Sequence, residues 1–281
     1  MIVVISGPSG VGKTKLSIEL AKKYNGIVVN ADASQIFKHL DIGTSKIKPH
    51  EKSGIPHYLF DIKEVDEDYS VSDYQTDLRN VIDKNIDKNI FIVGGTGLYM
   101  CAGLTDYKFN KKKDIDLSNY TNDELYQMIK DINKDIEIDK RNRRRMENFI
   151  LSGKDNIEKP KELYDAIYIG LTTDRKYLYN RINSRVDEMV KEGLIKEVED
   201  LYKKYKNARI LHSAIGYKEL IKYFDNELTL DESLDLIKKN TRHYAKRQYT
   251  WFNNKMNVKW FNTDYNNFDN TIKEIENYLN K

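Results

Sequence analysis

Residues 7–14 read GPSGVGKT and follow directly on an apolar run at 2–5, Ile-Val-Val-Ile. A continuous β-branched run is the pattern of a strand buried on both faces. The glycines then fit the spacing G-x-x-x-x-G-K-T, and residues 15–24 carry Leu16, Leu20 and Ala21 at helical spacing. Strand, glycine loop and helix in that order make a phosphate cradle. Backbone N–H groups of Ser9, Gly10, Val11, Gly12 and Lys13 wrap phosphate oxygens at the helix N-terminus, the Lys13 ammonium adds a point charge, and the Thr14 hydroxyl suits Mg²⁺. The loop specifies a polyphosphate, conventionally that of ATP, and leaves the reaction open.

Residues 27–29, 90–93 and 166–171 are further core strands, each ending in polar or glycine residues. Strands alternating with helical segments predict an α/β protein: a P-loop NTPase-like parallel sheet flanked by helices, with binding groups at the carboxyl ends of its strands. Between 105 and 165 the pattern changes to weak helical periodicity with clustered charge, Lys111-Lys112-Lys113 and then KRNRRR at 140–145. Its 14 basic and 14 acidic residues balance, so it is no basic tail. It reads as a small helical insertion domain, 106–164, beside a core made of 1–105 and 165–281. Amphipathic helices are predicted over 175–206, 213–225 and 231–254, followed by a short strand at 258–261 and a terminal helix.

Composition excludes several classes. Hydrophobic residues at 40% and charged residues at 32% of 281 fit a globular protein rather than a disordered one. Lys plus Arg total 47 against 44 acids, so the net charge names no partner. Between Arg175 and Lys259, however, 19 basic residues face 12 acidic ones. That surplus suits either a solvated helical surface or an acidic partner. The single cysteine, Cys101, excludes an internal disulfide, and nothing near it has metal-ligand spacing. No apolar run approaches the roughly 18 residues of a membrane span. The expectation is a cytoplasmic monomer with no membrane partner.

A P-loop NTPase also holds Mg²⁺ through an acid ending a later strand. Here the strand at 90–93 ends in Gly94-Gly95-Thr96-Gly97, and the isolated acid is Asp32, after the second strand. Asp32 suits a water on Mg²⁺, a general base acting on an acceptor, or a cap for the turn from Ala33 onward. The Gln35 amide suits an adenine edge. The Thr96 hydroxyl suits a phosphate or leaving oxygen, or belongs to an ordinary glycine-rich turn. Arg181 and Arg185, one helical turn apart and opposite Ile182, Val186, Met189 and Val190, suit a diphosphate or surface ion pairs with Asp187 and Glu188. In TRHYAKRQYTWF, Arg242, Lys246 and Arg247 lie beside Tyr244, Tyr249 and Trp251. That mixture suits RNA backbone with base stacking, or an amphipathic helix with its aromatics inward.

Taken in order, GPSGVGKT, NADASQIF, DIGTSK, PHYLFD, YSVSDY, VGGTGLY, RNRRRME, the run from LTTDRK to GLIKEV, AIGYKEL and TRHYAKRQYTWF resemble the tRNA dimethylallyltransferases. The resemblance runs from the first residues to about Phe252. It implies transfer of a dimethylallyl group from dimethylallyl diphosphate to N6 of the adenosine just 3′ of a tRNA anticodon. In that reading the loop with Lys13, Thr14, Arg185 and Arg181 holds the diphosphate, Asp32 takes the amine proton, Thr96 stabilises the departing oxygen, and Mg²⁺ offsets charge. Ala33, Ser34 and Gln35 seat the adenine. Lys140, Arg141, Arg144, Ser213, Gly216, Tyr217, Lys218 and Arg242 grip the anticodon stem-loop. The rivals are an adenylate isopentenyltransferase acting on free AMP or ATP, a P-loop nucleoside-phosphate kinase, and a non-catalytic RNA-binding protein.

Overall fold

The computed structural model describes residues 1–109, 115–152 and 160–281; the Lys111-Lys112-Lys113 cluster lies outside them. Met1–Thr105 and Glu162–Lys281 form one unit, and Asp106–Lys161 another. In chain order the larger unit begins with β1 (Ile2–Ser6), α1 (Lys13–Lys23), β2 (Gly26–Asn30), β3 (His57–Tyr58), α2 (Val71–Lys84), β4 (Asn89–Val93) and α3 (Gly97–Leu104). The smaller unit holds α4 (Asn122–Ile132) and α5 (Arg143–Ser152). The chain then returns through β5 (Ala166–Thr172), α6 (Arg175–Glu192), α7 (Leu194–Lys204), α8 (Tyr217–Phe224), α9 (Leu230–Lys255), β6 (Lys259–Asn262) and α10 (Phe268–Leu279).

The strands form one six-stranded sheet in the order β3-β2-β4-β1-β5-β6, every neighbouring pair parallel. Side chains alternate between its faces. Val4, Ile27, Val29, Ile90 and Ile92 join a core with Tyr74 and Leu78 of α2 and Phe252 of α9. Val3, Ile5, Val28, Phe91, Ile169 and Leu171 join another with Leu16 and Leu20 of α1, Leu178 of α6 and Ile275 of α10. Each fully buried aliphatic side chain contributes about 1.5–3 kcal/mol, which is why the central strands are continuous apolar runs. The smaller unit has its own core of Leu125, Ile129, Met146 and Phe149. There α4 starts at a reciprocal cap, the Thr121 hydroxyl accepting from the Glu124 N–H while the Glu124 carboxylate accepts from the Thr121 N–H.

Two elements differ from the sequence expectation. The predicted helix 175–206 is broken at Gly193, whose φ of 107° ends α6 and begins α7. Glycine takes that left-handed conformation without the steric cost a side chain would bring. The two-residue β3 was not expected, because His57-Tyr58 is too short to carry a period. Cys101 is half-buried in α3, and burial pushes its thiol pKa up, as befits an inert packing residue. No helix among the described residues is long and apolar enough to cross a membrane.

Candidate active site

The glycine loop leaves β1 with positive φ at Gly7, Gly10 and Gly12. A Cβ at Gly7 would come 2.6 Å from the Leu171 carbonyl oxygen, and one at Gly12 would come 2.6 Å from the Phe268 ring, so both positions require glycine. The loop carbonyls are held from outside. The Thr263 hydroxyl donates to the Val11 oxygen at 3.0 Å, and the Arg181 guanidinium donates to the Gly10 oxygen at 3.0 Å. Arg181 also lies 4.5 Å over the Tyr265 ring. Carbonyls turned outward leave the amide side of the loop, and the orphan N–H groups at the start of α1, for a bound anion. The Lys13 ammonium donates to the Pro8 carbonyl at 2.7 Å. Burial pulls its pKa down to about 8, with the Asp32 carboxylate acting in the opposite sense.

Asp32 is held at the end of β2 by Asn30. The Asn30 amide donates to the carbonyls of Asp32 and Leu59 at 3.0 and 2.9 Å, and its oxygen accepts from the Asp32 N–H at 2.9 Å. The Asp32 carboxylate accepts from the Ser34 N–H at 3.0 Å. It therefore closes a local turn, and no α-helix follows it. Burial pushes the Asp32 pKa up, opposed by that N–H and by Lys13. Thr96 sits beside it: its N–H donates to the Ala31 carbonyl at 3.0 Å, and its hydroxyl oxygen accepts from the Ala33 N–H at 3.1 Å. An accepting hydroxyl keeps its own proton free to donate.

A cavity of about 610 Å³ joins the phosphate loop to Asp32, while Thr96, Ala33 and Ser34 are not among the residues that line it. Ser9, Gly10, Gly12, Lys13 and Thr14 line it from the loop, Asp32 and Gln35 from the end of β2, and Arg181 and Arg185 from α6. Val11 is wholly buried behind the loop. Gln35 is occupied differently from the expectation, since its amide donates to the Thr44 carbonyl at 2.9 Å and ties down the 41–46 loop. Arg185 donates to the Ser45 hydroxyl of that loop at 3.2 Å. The loop is gripped in turn by Glu197, whose carboxylate accepts from the N–H groups of Asp41, Ile42 and Gly43 and from the Tyr217 hydroxyl.

Gln248 lines the cavity and is not legible as a site residue in the sequence, and Tyr244, read there only as one aromatic among basic residues, lines it too. Tyr244 and Gln248, one turn apart on α9, both donate to the Gly95 carbonyl, at 3.4 and 3.0 Å. A Cβ at Gly95 would lie 2.0 Å from the Gln248 amide nitrogen, so this glycine admits the side chain. The Gln248 amide oxygen is buried without a hydrogen-bond partner among the described residues. Burial and the Asp32 charge push the Tyr244 pKa up to about 12, keeping the phenol protonated. Gln248 is visible in the sequence only as a letter of AKRQYTWF, and nothing there ties Tyr244 to Gly95.

The expected RNA-gripping residues scatter. Tyr217 is wholly buried, its ring packed where a Cβ on Gly43 would stand, so its side chain is no surface contact. Gly216 is buried too, its N–H donating to the Glu219 carboxylate at 2.7 Å. Ser213 is exposed and Lys218 half-buried. The Arg242 guanidinium donates to Asn183 at 2.6 Å. In the smaller unit Lys140 pairs with Asp123 and Arg141 with Asp139, both at the surface, and Arg144 is exposed. Surface pairs of this kind contribute about 0–1 kcal/mol and part readily for a stronger anion.

A family model described as IPP transferase matches residues 35–255. The chain belongs to that family. It is 45% identical to the tRNA dimethylallyltransferase of Anoxybacillus flavithermus, over 99% of this chain and 96% of that one. It is 40% identical to the tRNA dimethylallyltransferase of Streptococcus sanguinis, over 100% and 99%. Among solved structures it resembles the tRNA isopentenylpyrophosphate transferase of Bacillus halodurans, with a TM-score of 0.80, 39% identity, and coverage of 99% and 95%. It also resembles a eukaryotic dimethylallyltransferase acting on tRNA, with a TM-score of 0.82, 26% identity, and coverage of 98% and 77%. Membership fits a parallel sheet with a phosphate loop at the end of its first strand.

Proposed function

We propose that the chain transfers a dimethylallyl group from dimethylallyl diphosphate to N6 of the adenosine immediately 3′ of a tRNA anticodon. The observation that carries the reading is the position of the acid. Asp32 shares one cavity with the phosphate loop, while β4 ends in Gly94-Gly95-Thr96-Gly97 with no carboxylate for a nucleotide-bound metal. The names of the relatives supply the acceptor and the donor class.

The loop, Lys13, Arg181 and Arg185 hold the diphosphate of the donor. The adenine leaves the anticodon stack, at a cost of roughly a few kcal/mol, and enters from the Asp32 side. As the N6–C1 bond forms and the C1–O bond breaks, Asp32 accepts the amine proton, and its raised pKa brings its basicity nearer to neutral pH. The Thr96 hydroxyl donates to the departing bridging oxygen, and the loop amides carry the negative charge left on diphosphate.

The donor set fits Mg²⁺ of one kind only. Among the described residues no three His, Cys, Asp or Glu side chains gather as a metal cage. The Thr14 hydroxyl lines the cavity, and it suits an ion that takes its other ligands from phosphate and water. Bound there, Mg²⁺ supplies charge neutralisation on the leaving diphosphate. Every residue given a chemical step here belongs to one chain, so a monomer suffices. The test is incubation with Mg²⁺, dimethylallyl diphosphate and unmodified tRNA, with AMP and ATP in parallel, read by mass. Prenylated tRNA is expected; prenylated AMP with unchanged tRNA overturns the reading.

A further inference from the structure

The last strand brings a short segment against the outside of the phosphate loop. β6 pairs with β5 at the sheet edge, and the Thr263 N–H continues the ladder by donating to the Thr172 carbonyl at 2.9 Å. From there residues 263–268 meet the loop in turn. The Thr263 hydroxyl donates to the Val11 carbonyl, the Tyr265 hydroxyl reaches the Gly10 carbonyl at 3.4 Å, and the Phe268 ring fills the space beside Gly12. The segment is itself fixed. The Asp264 carboxylate accepts from the N–H groups of Asn266 and Asn267 at 3.0 Å and from the Asn270 amide at 2.9 Å, while the Asp264 N–H donates to the Thr271 hydroxyl at 2.8 Å. α10 is tied back to α1: Ile275 packs in one core with Leu16 and Leu20, and Glu276 pairs with Lys23 at 2.7 Å.

Tyr265 also holds a side chain. The Arg181 guanidinium lies 4.5 Å over its ring, and the Tyr177 ring stands 4.7 Å from it. Arg181 uses Nε on the Gly10 carbonyl; among the described residues its other N–H groups meet no acceptor, and no carboxylate pairs with it. Attraction to the ring occupies none of those donors. The ring and the Gly10 carbonyl therefore fix the guanidinium while leaving its fork for two oxygens of one anion. Arg181 lines the cavity with Gly10, Lys13 and Thr14, whereas Tyr265 is not among the lining residues. Any effect of the tyrosine on a ligand there is indirect.

We propose that Tyr265 is a positioning residue for donor binding: it holds the Arg181 guanidinium at the phosphate loop, so that a diphosphate meets the arginine already in place. The role rests on the reading of this cavity as a diphosphate site. Arg181 is otherwise exposed, and a long side chain free in solvent must be ordered when it grips an anion, which weakens binding. With the ring present, that ordering is complete before the ligand arrives.

The test is calorimetric titration of inorganic diphosphate into the full chain and its variants Tyr265→Phe, Tyr265→Leu, Tyr265→Gln and Arg181→Met, with each Tyr265 change repeated in the Arg181→Met background. Tyr265→Phe keeps the ring and should bind as the wild type does. Leu and Gln should each weaken binding by about two- to fivefold, the range an exposed cation–π contact supplies. Neither should have a further effect once Arg181 is replaced. Gln suits a half-buried position, so a fold that rejects Leu still gives a reading. Wild-type affinity in the Leu and Gln variants overturns the proposal. So does an equal loss with and without Arg181, because the tyrosine would then act through the loop alone. A wild-type protein that binds no diphosphate overturns the reading of the cavity, and the role of Tyr265 with it.

Discussion

Replacing Glu197 by Ala should unfasten the donor side of the cavity from a distance. One carboxylate oxygen accepts from the N–H groups of Asp41 and Ile42 at 3.2 and 2.8 Å. The other accepts from the Gly43 N–H at 3.0 Å and the Tyr217 hydroxyl at 2.6 Å. Water can replace part of the lost bonding at the loop amides. It cannot reach the Tyr217 hydroxyl, which lies in a wholly buried residue. Stranding that hydroxyl costs about 1–3 kcal/mol, and the loosened loop adds about 1 kcal/mol, so the variant loses about 2–4 kcal/mol. At about 2–4 °C per kcal/mol for a chain near this size, melting falls by about 4–16 °C. The released loop also withdraws Ser45 from Arg185, a bond of about 1 kcal/mol, so diphosphate affinity drops by about fivefold. Thermal unfolding and calorimetric titration with inorganic diphosphate read the two effects. Glu197→Gln should lose much of both, because its NH₂ group would face donors. If Glu197→Ala melts and binds diphosphate like the wild type, the loop is not held as described.

Asp32→Asn should lower kcat by about 10²–10⁴-fold while diphosphate still binds. Because burial raises the Asp32 pKa, the folded state prefers the protonated acid. The ionised form therefore costs stability at neutral pH, and that cost disappears below the ordinary carboxylate range. The Asn variant should accordingly melt higher than the wild type near neutrality and level with it in acid. Lys13, with a pKa of about 8 in the free protein, loses its charge as pH rises past that value. Diphosphate affinity should then fall by up to about tenfold per pH unit, with proton uptake on binding, and Lys13→Met should abolish that pH dependence. Gly95→Ala drives a Cβ to within 2.0 Å of the Gln248 amide, so kcat should drop while diphosphate affinity holds.

Local patterns were legible in the sequence; distant partnerships were not. The phosphate loop, the strands at 2–5, 27–29 and 90–93, and the acid at position 32 all follow from runs of a few residues. The fold needs nothing more to bring the carboxyl ends of β1, β2 and β4 together. Gly193 was hidden because α6 and α7 share one amphipathic rhythm across it. Glu197 reaches the 41–46 loop, Gln248 reaches Gly95, and Thr263 reaches Val11, each across more than 150 residues, and no spacing rule connects them. Tyr217 misled for the opposite reason: its segment resembles an RNA-contacting one, yet the ring fills the space left by Gly43. Gln35 looked free to read a base, but a short loop brings Thr44 back within reach.

The most direct test of the account maps the product. Unmodified tRNA treated with the protein, Mg²⁺ and dimethylallyl diphosphate is digested to nucleosides and, separately, to sequence-assigned fragments, both read by mass. One N6-dimethylallyladenosine per tRNA is expected, at the position directly 3′ of the anticodon, formed at least about a hundredfold more slowly by Asp32→Asn. Prenyl groups on free nucleotide alone, or tRNA modified by the Asp32→Asn protein at the wild-type rate, would contradict the account.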